Sequence, residues 1–550
     1  MYDFWHPFVY IRPLSSAHRV NNRELLALAY LQKGILPLLV SLIVVSCGKV
    51  EEGVPPTLDN SAIVEQIYVS ETVDSNWLHD GPIYETHPYY HGGTFNDVVN
   101  AIPEIANLGV KTIYIMPIWQ QPPESTDAIE THSRNIYRIY DYYEIDPVYG
   151  TPEDLKRVVQ TAHEYSMKVI FDLVMSNTPM HSAIWQNGWI HQINLQELEP
   201  MAEQAEAKLS YRDRPDGKYI TFGCVERDSQ ALCELAGQVQ GENILLLHFP
   251  RAGWGFAPDY TNPELMDYFA GVASHYVQEY DIDGWRIDAP GNNWNPRIIS
   301  GDHDILPMLQ KIRQEITQIK PDAQLICETV GVERGEDPPP ILEHVCDATY
   351  SQDFYTELLE EQTSDHNVIN LLQTLKVEDE NSQTNHIRFI ESHDTPRVAQ
   401  LYPRLDVEIP VLFMTTPGIV MLQAGQEIGS PTRYGPDLPV DWSRGDEQLR
   451  SLYRKLIQLR ETYQSLKFGS LDSIPTFGDN IFAYKRSYQA EQAIILINFG
   501  LGPADTILNL SVPPSTILKD VLNDEVFEID DPNNITISVP GRSARILLIN

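Results

Sequence analysis

Positive charge is what this chain has least of for its size: 39 lysines and arginines stand against 77 aspartates and glutamates, a formal net charge of −38. A phosphate backbone would be repelled by such a molecule, which argues against nucleic acid as a partner, whereas a neutral ligand is compatible. Cysteine is scarce as well, five in 550 residues. No Cys-x-x-Cys pair or His/Cys cluster at zinc spacing occurs, so a transition-metal mechanism is not expected. No basic cluster is evident near the candidate site to receive phosphate, which counts against phosphate-dependent chemistry. The apolar stretch from Ile35 to Val45 is too short to span a bilayer. What is present is ordinary globular composition, 42% hydrophobic, in a chain long enough for two or three domains.

That short apolar stretch follows Lys33 and precedes Ser46-Cys47, the layout of a secretory leader. Val44-Val45-Ser46-Cys47 resembles a bacterial lipobox, which implies that residues 1–46 form the signal, that Cys47 is lipidated, and that 47–60 are a linker. Gly48, rather than Asp, after the cysteine points to the outer membrane or periplasmic face of the cell envelope. More than thirty residues precede the apolar stretch, which a translation start placed too far upstream would explain. In an exported protein the acidity serves mainly solubility. Cys224 and Cys233 are close enough to staple one loop in an oxidising compartment, while Cys327 and Cys346, in or beside apolar strand-like runs, read as buried thiols.

Eight strand-like runs can be counted: Ile63 to Val69, Thr112 to Met116, Lys168 to Val174, Gly284 to Asp288, Gln324 to Glu328, Asp347 to Ser351, Ile387 to Glu391 and Ile419 to Gln423. Helical patterns separate most of them, as at Phe95 to Leu108, Pro152 to Tyr165, Pro263 to Tyr280 and Ile305 to Ile319. The alternation predicts an α/β fold, a (β/α)8 TIM barrel over residues 61–467. Between Asp172 and Asp288 lie over a hundred residues, where one βα unit needs about thirty. An excursion over 176–255 must therefore leave the barrel after strand 3. From 468 to 550, short runs such as Asn480 to Arg486, Ala493 to Asn498, Thr506 to Leu510 and Ile535 to Val539 predict an antiparallel β domain. Nothing in it clusters Trp, so its expected role is to cover the barrel.

Four segments carry the chemistry, in order: FDLVMSNT from Phe171, GWRIDAP from Gly284, LICETVG from Leu325 and FIESHDTPR from Phe389. Each closes an apolar run with polar residues, which is how a barrel delivers catalytic groups to its C-terminal face. Arg286 precedes Asp288 by two residues on one strand face, so its guanidinium can hold that carboxylate ionised. Alone, such a pair reads as structural. Glu328 ends the apolar run Leu325-Ile326-Cys327, a setting that raises a carboxyl pKa and keeps its proton.

Together the four segments resemble the signature regions of the α-amylase family, glycoside hydrolase family 13, over roughly residues 60 to 550. The resemblance implies that 176–255 is that family's inserted domain B and 468–550 its C-terminal β-sandwich. It implies Asp288 as nucleophile, Glu328 as general acid/base and Asp394 as the third carboxylate, gripping sugar hydroxyls beside His393. Tyr137, four residues before Asp141, matches the tyrosine that stacks on the sugar. The implied activity is a retaining α-glycoside hydrolase acting on α-glucosidic bonds of malto-oligosaccharides or related α-glucans, with the two carboxyls about 5 to 5.5 Å apart and no required cofactor. Transglycosylation by the same residues, and a surface glycan-binding lipoprotein with weak turnover, remain open alternatives.

The chain departs from the family pattern in places. Ser176 replaces an Asn that helps bind a structural calcium, which puts that ion in doubt, and Asn177 replaces a His. Asn177 can still donate to a sugar hydroxyl, and His181 is an alternative donor. Where many α-amylases carry Lys-His beyond the nucleophile, this chain has Gly291 and Asn292, with Trp294 nearby as a stacking or packing residue.

Overall fold

The computed structural model describes residues 76–549 apart from internal stretches, the longer ones at 122–134, 225–234, 248–254, 291–304, 329–344, 359–370, 377–384 and 432–438. Cys47, the leader and the run Ile63 to Val69 lie outside the described residues, as do Cys233, Gly291, Asn292 and Trp294.

Eight parallel strands close into a barrel: β1 (Ile83–Thr86), β2 (Thr112–Ile115), β3 (Lys168–Val174), β4 (Gly284–Asp288), β5 (Gln324–Cys327), β6 (Ala348–Tyr350), β7 (Asn385–Arg388) and β8 (Ile419–Gln423), each bonded to its neighbours in sequence and β8 to β1. The expected first strand was Ile63 to Val69; the barrel instead begins at Ile83–Thr86, a four-residue run too short to stand out from the Tyr, Glu and Thr around it. Strand β7 likewise starts two residues before the predicted Ile387, because Asn385, His386 and Arg388 mask its apolar character. His386 and Arg388 are nevertheless buried.

Strands buried on both faces need nearly continuous apolar sequence, and β3 is buried from Val169 to Val174, Asp172 included. Helices α1 (Phe95–Leu108), α2 (Pro152–Glu164), α3 (Pro263–Tyr280) and α4 (Leu306–Ile319) cover its outside. The starts of the first three are written locally. Thr94 with Asp97, and Thr151 with Asp154, form reciprocal capping boxes, and Asn262 caps α3 ahead of Pro263. Gly109 ends α1 at φ 100°, a left-handed position that favours glycine. Gly284 lets β4 lie close to β5, since a Cβ there would sit 2.2 Å from the Gln324 carbonyl oxygen.

Between β3 and α3 stands an antiparallel sheet in the order Gln192–Asn194, Ile244–Leu247, Leu235–Gln240, Gly217–Cys224, Ala207–Arg214. Its own small core is Ile193, Leu198, Ile220, Leu245 and Leu247. The C-terminal region packs a six-stranded sheet against the pair Ala504–Leu508 and Ile535–Val539, with Ile494, Leu496, Ile537, Val539 and Leu547 between them. Tyr484 and Arg486 tie it to the barrel side through Thr415.

The expected thiols are corrected by a disulfide between Cys327 and Cys346, 19 residues apart. Burial was legible; pairing was not, because it takes the parallel pairing of β5 with β6 to bring the two Cα atoms to 5.8 Å, and no local spacing states that approach. Among the described residues no helix is long and apolar enough to cross a membrane.

Candidate active site

At the C-terminal end of the barrel, β3 and β4 pair so that Asp172 lies beside Arg286 and Val174 beside Asp288. Asp172 is fully buried. Both its oxygens accept from Arg286 Nη1 at 2.9 Å, and Oδ2 also accepts from the hydroxyls of Tyr114 at 2.6 Å and Tyr137 at 2.9 Å. Arg286 reaches outward from this anchor: Nη1 donates to Asp288 Oδ1 at 2.8 Å, and Nη2 pairs with Glu328 Oε2 at 2.6 Å. One guanidinium thus meets three carboxyl groups, flanked by the rings of Tyr114 and Tyr350.

The environment separates these acids. Burial disfavours the guanidinium charge, but Asp172 and Glu328 outweigh it and hold the Arg286 pKa well above its ordinary value. Burial raises Asp172 against the pull of Arg286. Burial also pushes the Glu328 carboxyl up to about 8; Arg286 opposes the shift, and the carboxylates of Asp288 and Asp394 support it. The N–H of Ala289 donates to Glu328 Oε2 at 3.0 Å. Ala289 has φ 44°, a left-handed conformation for a non-glycine residue, and costs on the order of 1 kcal/mol or more. The strained turn directly after Asp288 is what carries that N–H to Glu328.

On the opposite side, His393 Nε2 lies 2.7 Å from the Tyr137 oxygen, and the two rings stack at 5.1 Å and 10°. Its Nδ1 contacts Glu85 Oε1 at the end of β1. Burial works against a charge on His393, but Asp394 and Glu85 overcome it and lift the pKa to about 10, so the ring is cationic at neutral pH. Asp394, its side chain 64% exposed, stands at the rim with Oδ2 3.3 Å from His393 Nε2.

Asp288, Glu328, Arg286, Tyr137, His393 and Asp394 therefore share one connected cluster. Asn177 is buried beside it, and its Nδ2 donates to Ser176 Oγ at 3.3 Å. His181 packs its ring against Trp185. Ser176, where the resemblance puts an Asn that helps bind calcium, donates its hydroxyl proton to Asp288 Oδ2 at 2.8 Å. Among the described residues no group of three His, Cys, Asp or Glu side chains could hold a metal ion.

Sequence reasoning passed over Asp172, Tyr114 and Glu85 as members of the cluster. Asp172 left a signal: a carboxylate inside the apolar run Val169 to Val174 has no neutral explanation unless a cation meets it, and Arg286 is at the same level of the next strand. Tyr114 and Glu85 left none, since a strand tyrosine is ordinary and β1 itself was misplaced.

The alpha-amylase catalytic-domain family matches residues 66–197 and 257–437, on either side of most of the inserted sheet. A cyclomaltodextrinase of Thermoanaerobacter pseudethanolicus is 24% identical over 423 residues, 74% of this chain and 64% of that protein. This chain therefore spans about two thirds of that relative's length. A maltogenic alpha-amylase of Bacillus acidopullulyticus is 24% identical over 474 residues, covering 83% of this chain and 71% of the other. The fold is shared with a solved noncanonic maltogenic alpha-amylase from Thermotoga neapolitana, with a TM-score of 0.63 at 22% identity over 86% of this chain and 99% of that one. An alpha-amylase from Geobacillus thermoleovorans, solved with acarbose, gives a TM-score of 0.62 at 20% identity over 86% and 99%. With more than half of its length matched by the catalytic-domain family and a closed parallel barrel presenting the acid cluster at its C-terminal end, the chain belongs to the alpha-amylase family.

Proposed function

We propose that the protein is a retaining α-glycoside hydrolase acting on α-glucosidic bonds of malto-oligosaccharides or related α-glucans. The observation that carries this reading is the single guanidinium of Arg286 meeting both Asp288 and Glu328, with burial lifting Glu328 to about 8. Burial lets Glu328 keep its proton at neutral pH, while Asp288 Oδ1 takes the Arg286 guanidinium at 2.8 Å, a division of labour that suits glycosidic cleavage. In the first step an oxygen of Asp288 bonds to the anomeric carbon as the bond from that carbon to the leaving oxygen breaks, and Glu328 gives its proton to that oxygen. In the second, Glu328 takes a proton from water, the water oxygen bonds to the anomeric carbon, and the Asp288 ester opens. Cationic His393 and rim-exposed Asp394 are placed to hold sugar hydroxyls, and Tyr137 ties His393 to the Asp172–Arg286 pair. The names of the relatives, cyclomaltodextrinase and maltogenic alpha-amylase, support α-glucans as the substrate class.

Sugar release from maltose, maltotriose, isomaltose, trehalose, sucrose and soluble starch tests the reading, with Asp288→Asn as control. The expected outcome is release by the wild type and a loss of about four orders of magnitude in the folded variant. Products longer than the substrate would instead assign transglycosylation, and saturable binding without release would assign a glycan-binding protein.

Export with a lipid on Cys47 is the location we propose, supported by the lipobox-like segment and by a disulfide that suits an oxidising compartment. Fractionation of cells making the chain should place it with membranes, and Cys47→Ser should release it; equal partition of both forms would sink the anchor.

A further inference from the structure

We propose that Ser176 is a positioning residue for the nucleophile, acting through Asp288 Oδ2; the proposal rests on the glycosidase reading above and deepens it. Strand β3 ends at Val174, level with Asp288 on β4. Two residues further along the same course, Ser176 arrives beside the Asp288 carboxyl, and its Oγ donates to Oδ2 at 2.8 Å. Arg286 Nη1 holds the other oxygen, Oδ1, at 2.8 Å. The two oxygens are therefore distinguished. Oδ1 faces a guanidinium only 1% exposed and anchored on Asp172, whereas Oδ2 is held by a neutral hydroxyl, so Oδ2 is the oxygen left to attack.

The direction of the Ser176 hydrogen bond is fixed from behind. The Asn177 amide donates through Nδ2 to Ser176 Oγ at 3.3 Å, occupying a lone pair of that oxygen. A hydroxyl has one proton, and an amide N–H cannot accept it, so the proton is turned to Asp288. Ser176 is 5% exposed and Asn177 1%, which keeps water from competing for either bond. Ser176 and Asn177 thus form a short relay that fixes the plane of the nucleophilic carboxylate.

Chemically the hydroxyl serves both steps. In the first it sets the angle at which the Oδ2 lone pair meets the anomeric carbon as the leaving oxygen departs with the proton of Glu328. In the second, water bonds to that carbon, the carbon–Oδ2 bond breaks, and its electron pair returns to Oδ2, where the Ser176 proton stabilises it. A hydrogen bond to a group gaining charge contributes about ten- to a hundredfold in rate.

The test uses the full chain and 4-nitrophenyl α-maltoside. Ser176→Ala is expected to lower kcat about ten- to a hundredfold, with KM unchanged or lower because the glycosyl-enzyme accumulates. A pre-steady-state burst of nitrophenol should grow in the variant. Ser176→Thr retains the hydroxyl and should restore kcat, while the thermal midpoints of both variants report that the fold is kept. Wild-type kcat in Ser176→Ala, a rise in KM at constant kcat, or an equal loss in Ser176→Thr overturns the proposal while leaving the glycosidase reading intact. Absence of Asp288-dependent turnover in the wild type would remove that reading and this proposal with it.

Discussion

Asp283, just before β4, and Glu328, at the end of β5, are buried acids on adjacent strands of one barrel, and their surroundings drive them in opposite directions. Asp283 accepts from the Val169 N–H at 2.9 Å, lies 2.7 Å from His163 Nε2, and accepts from Lys168 Nζ and Lys320 Nζ, each at 3.0 Å. Burial opposes its charge, but these partners overcome it and hold the carboxyl well below the usual range. Nearby, Asp347 is met by both ends of the Arg313 guanidinium at 2.7 and 2.6 Å and by the Leu325 N–H at 2.7 Å. Cations and N–H donors at this end are sufficient for every acid named. At the C-terminal end the one guanidinium of Arg286 is shared among Asp172, Asp288 and Glu328, the other donors being the hydroxyls of Tyr114, Tyr137 and Ser176 and the single N–H of Ala289, and Glu328 rises to about 8. An abundance of partners makes a staple. A shortage of them makes a proton donor, because only a carboxyl that is poorly supported as an anion keeps a proton to give.

The sharpest way to break that contrast is Glu328→Gln, for which we expect a loss of about 10²- to 10⁴-fold on a glucan whose leaving oxygen needs a proton. The pH profile supplies the sign. Glu328 acts as an acid only when protonated, so wild-type kcat/KM should be full below and fall as pH rises through about 8. The glutamine variant should lack that basic limb. If the limb persists in Glu328→Gln, another group carries the proton and the raised acid at the barrel's C-terminal end has no catalytic meaning.

The two ends also differed in how far they could be read from sequence. At the C-terminal end the residues lie in short strings, and Arg286 to Asp288 has a fixed spacing on one strand, so the period-two rule alone puts the pair on one face. Glu328 was marked by the apolar run before it. What escaped was whatever depended on closure of the barrel: Glu85 comes from β1, opposite in sequence to His393, and the two meet only because β8 pairs with β1. In sequence Ser176 reads as a lost calcium ligand and not as a gained hydrogen bond, since nothing local says where a strand-end hydroxyl will point. The N-terminal end was silent throughout, for Asp283 in Tyr280-Asp281-Ile282-Asp283 reads as an ordinary polar loop. Its partners come from α2, β3 and the residue after α4, and no spacing in the sequence connects them.

Asp283→Asn sharpens the comparison from the other side. The side chain is 2% exposed, and Lys168 and Lys320 are 33% and 18% exposed, so loss of its charge removes the buried anion they share and leaves them only the more exposed Asp322 and Asp281. Removing one partner of a buried ion cluster costs about 3 to 5 kcal/mol, and the partial solvation of both lysines argues for the lower figure, about 3 kcal/mol. Because the folded pKa of Asp283 is depressed, its contribution is fully present above the ordinary carboxylate range. It drains away as pH falls from there through the folded value. Urea unfolding at neutral pH should therefore show the full deficit of the variant. The same measurement below the ordinary carboxylate range should show the two proteins beginning to converge as the wild type loses what the variant never had. Throughout, kcat/KM of the folded variant should match the wild type, because Asp283 sits at the start of β4 and Asp288 at its end, with the intervening strand buried and paired on both sides. A variant with wild-type stability and impaired turnover would mean that the two ends are not separable in function.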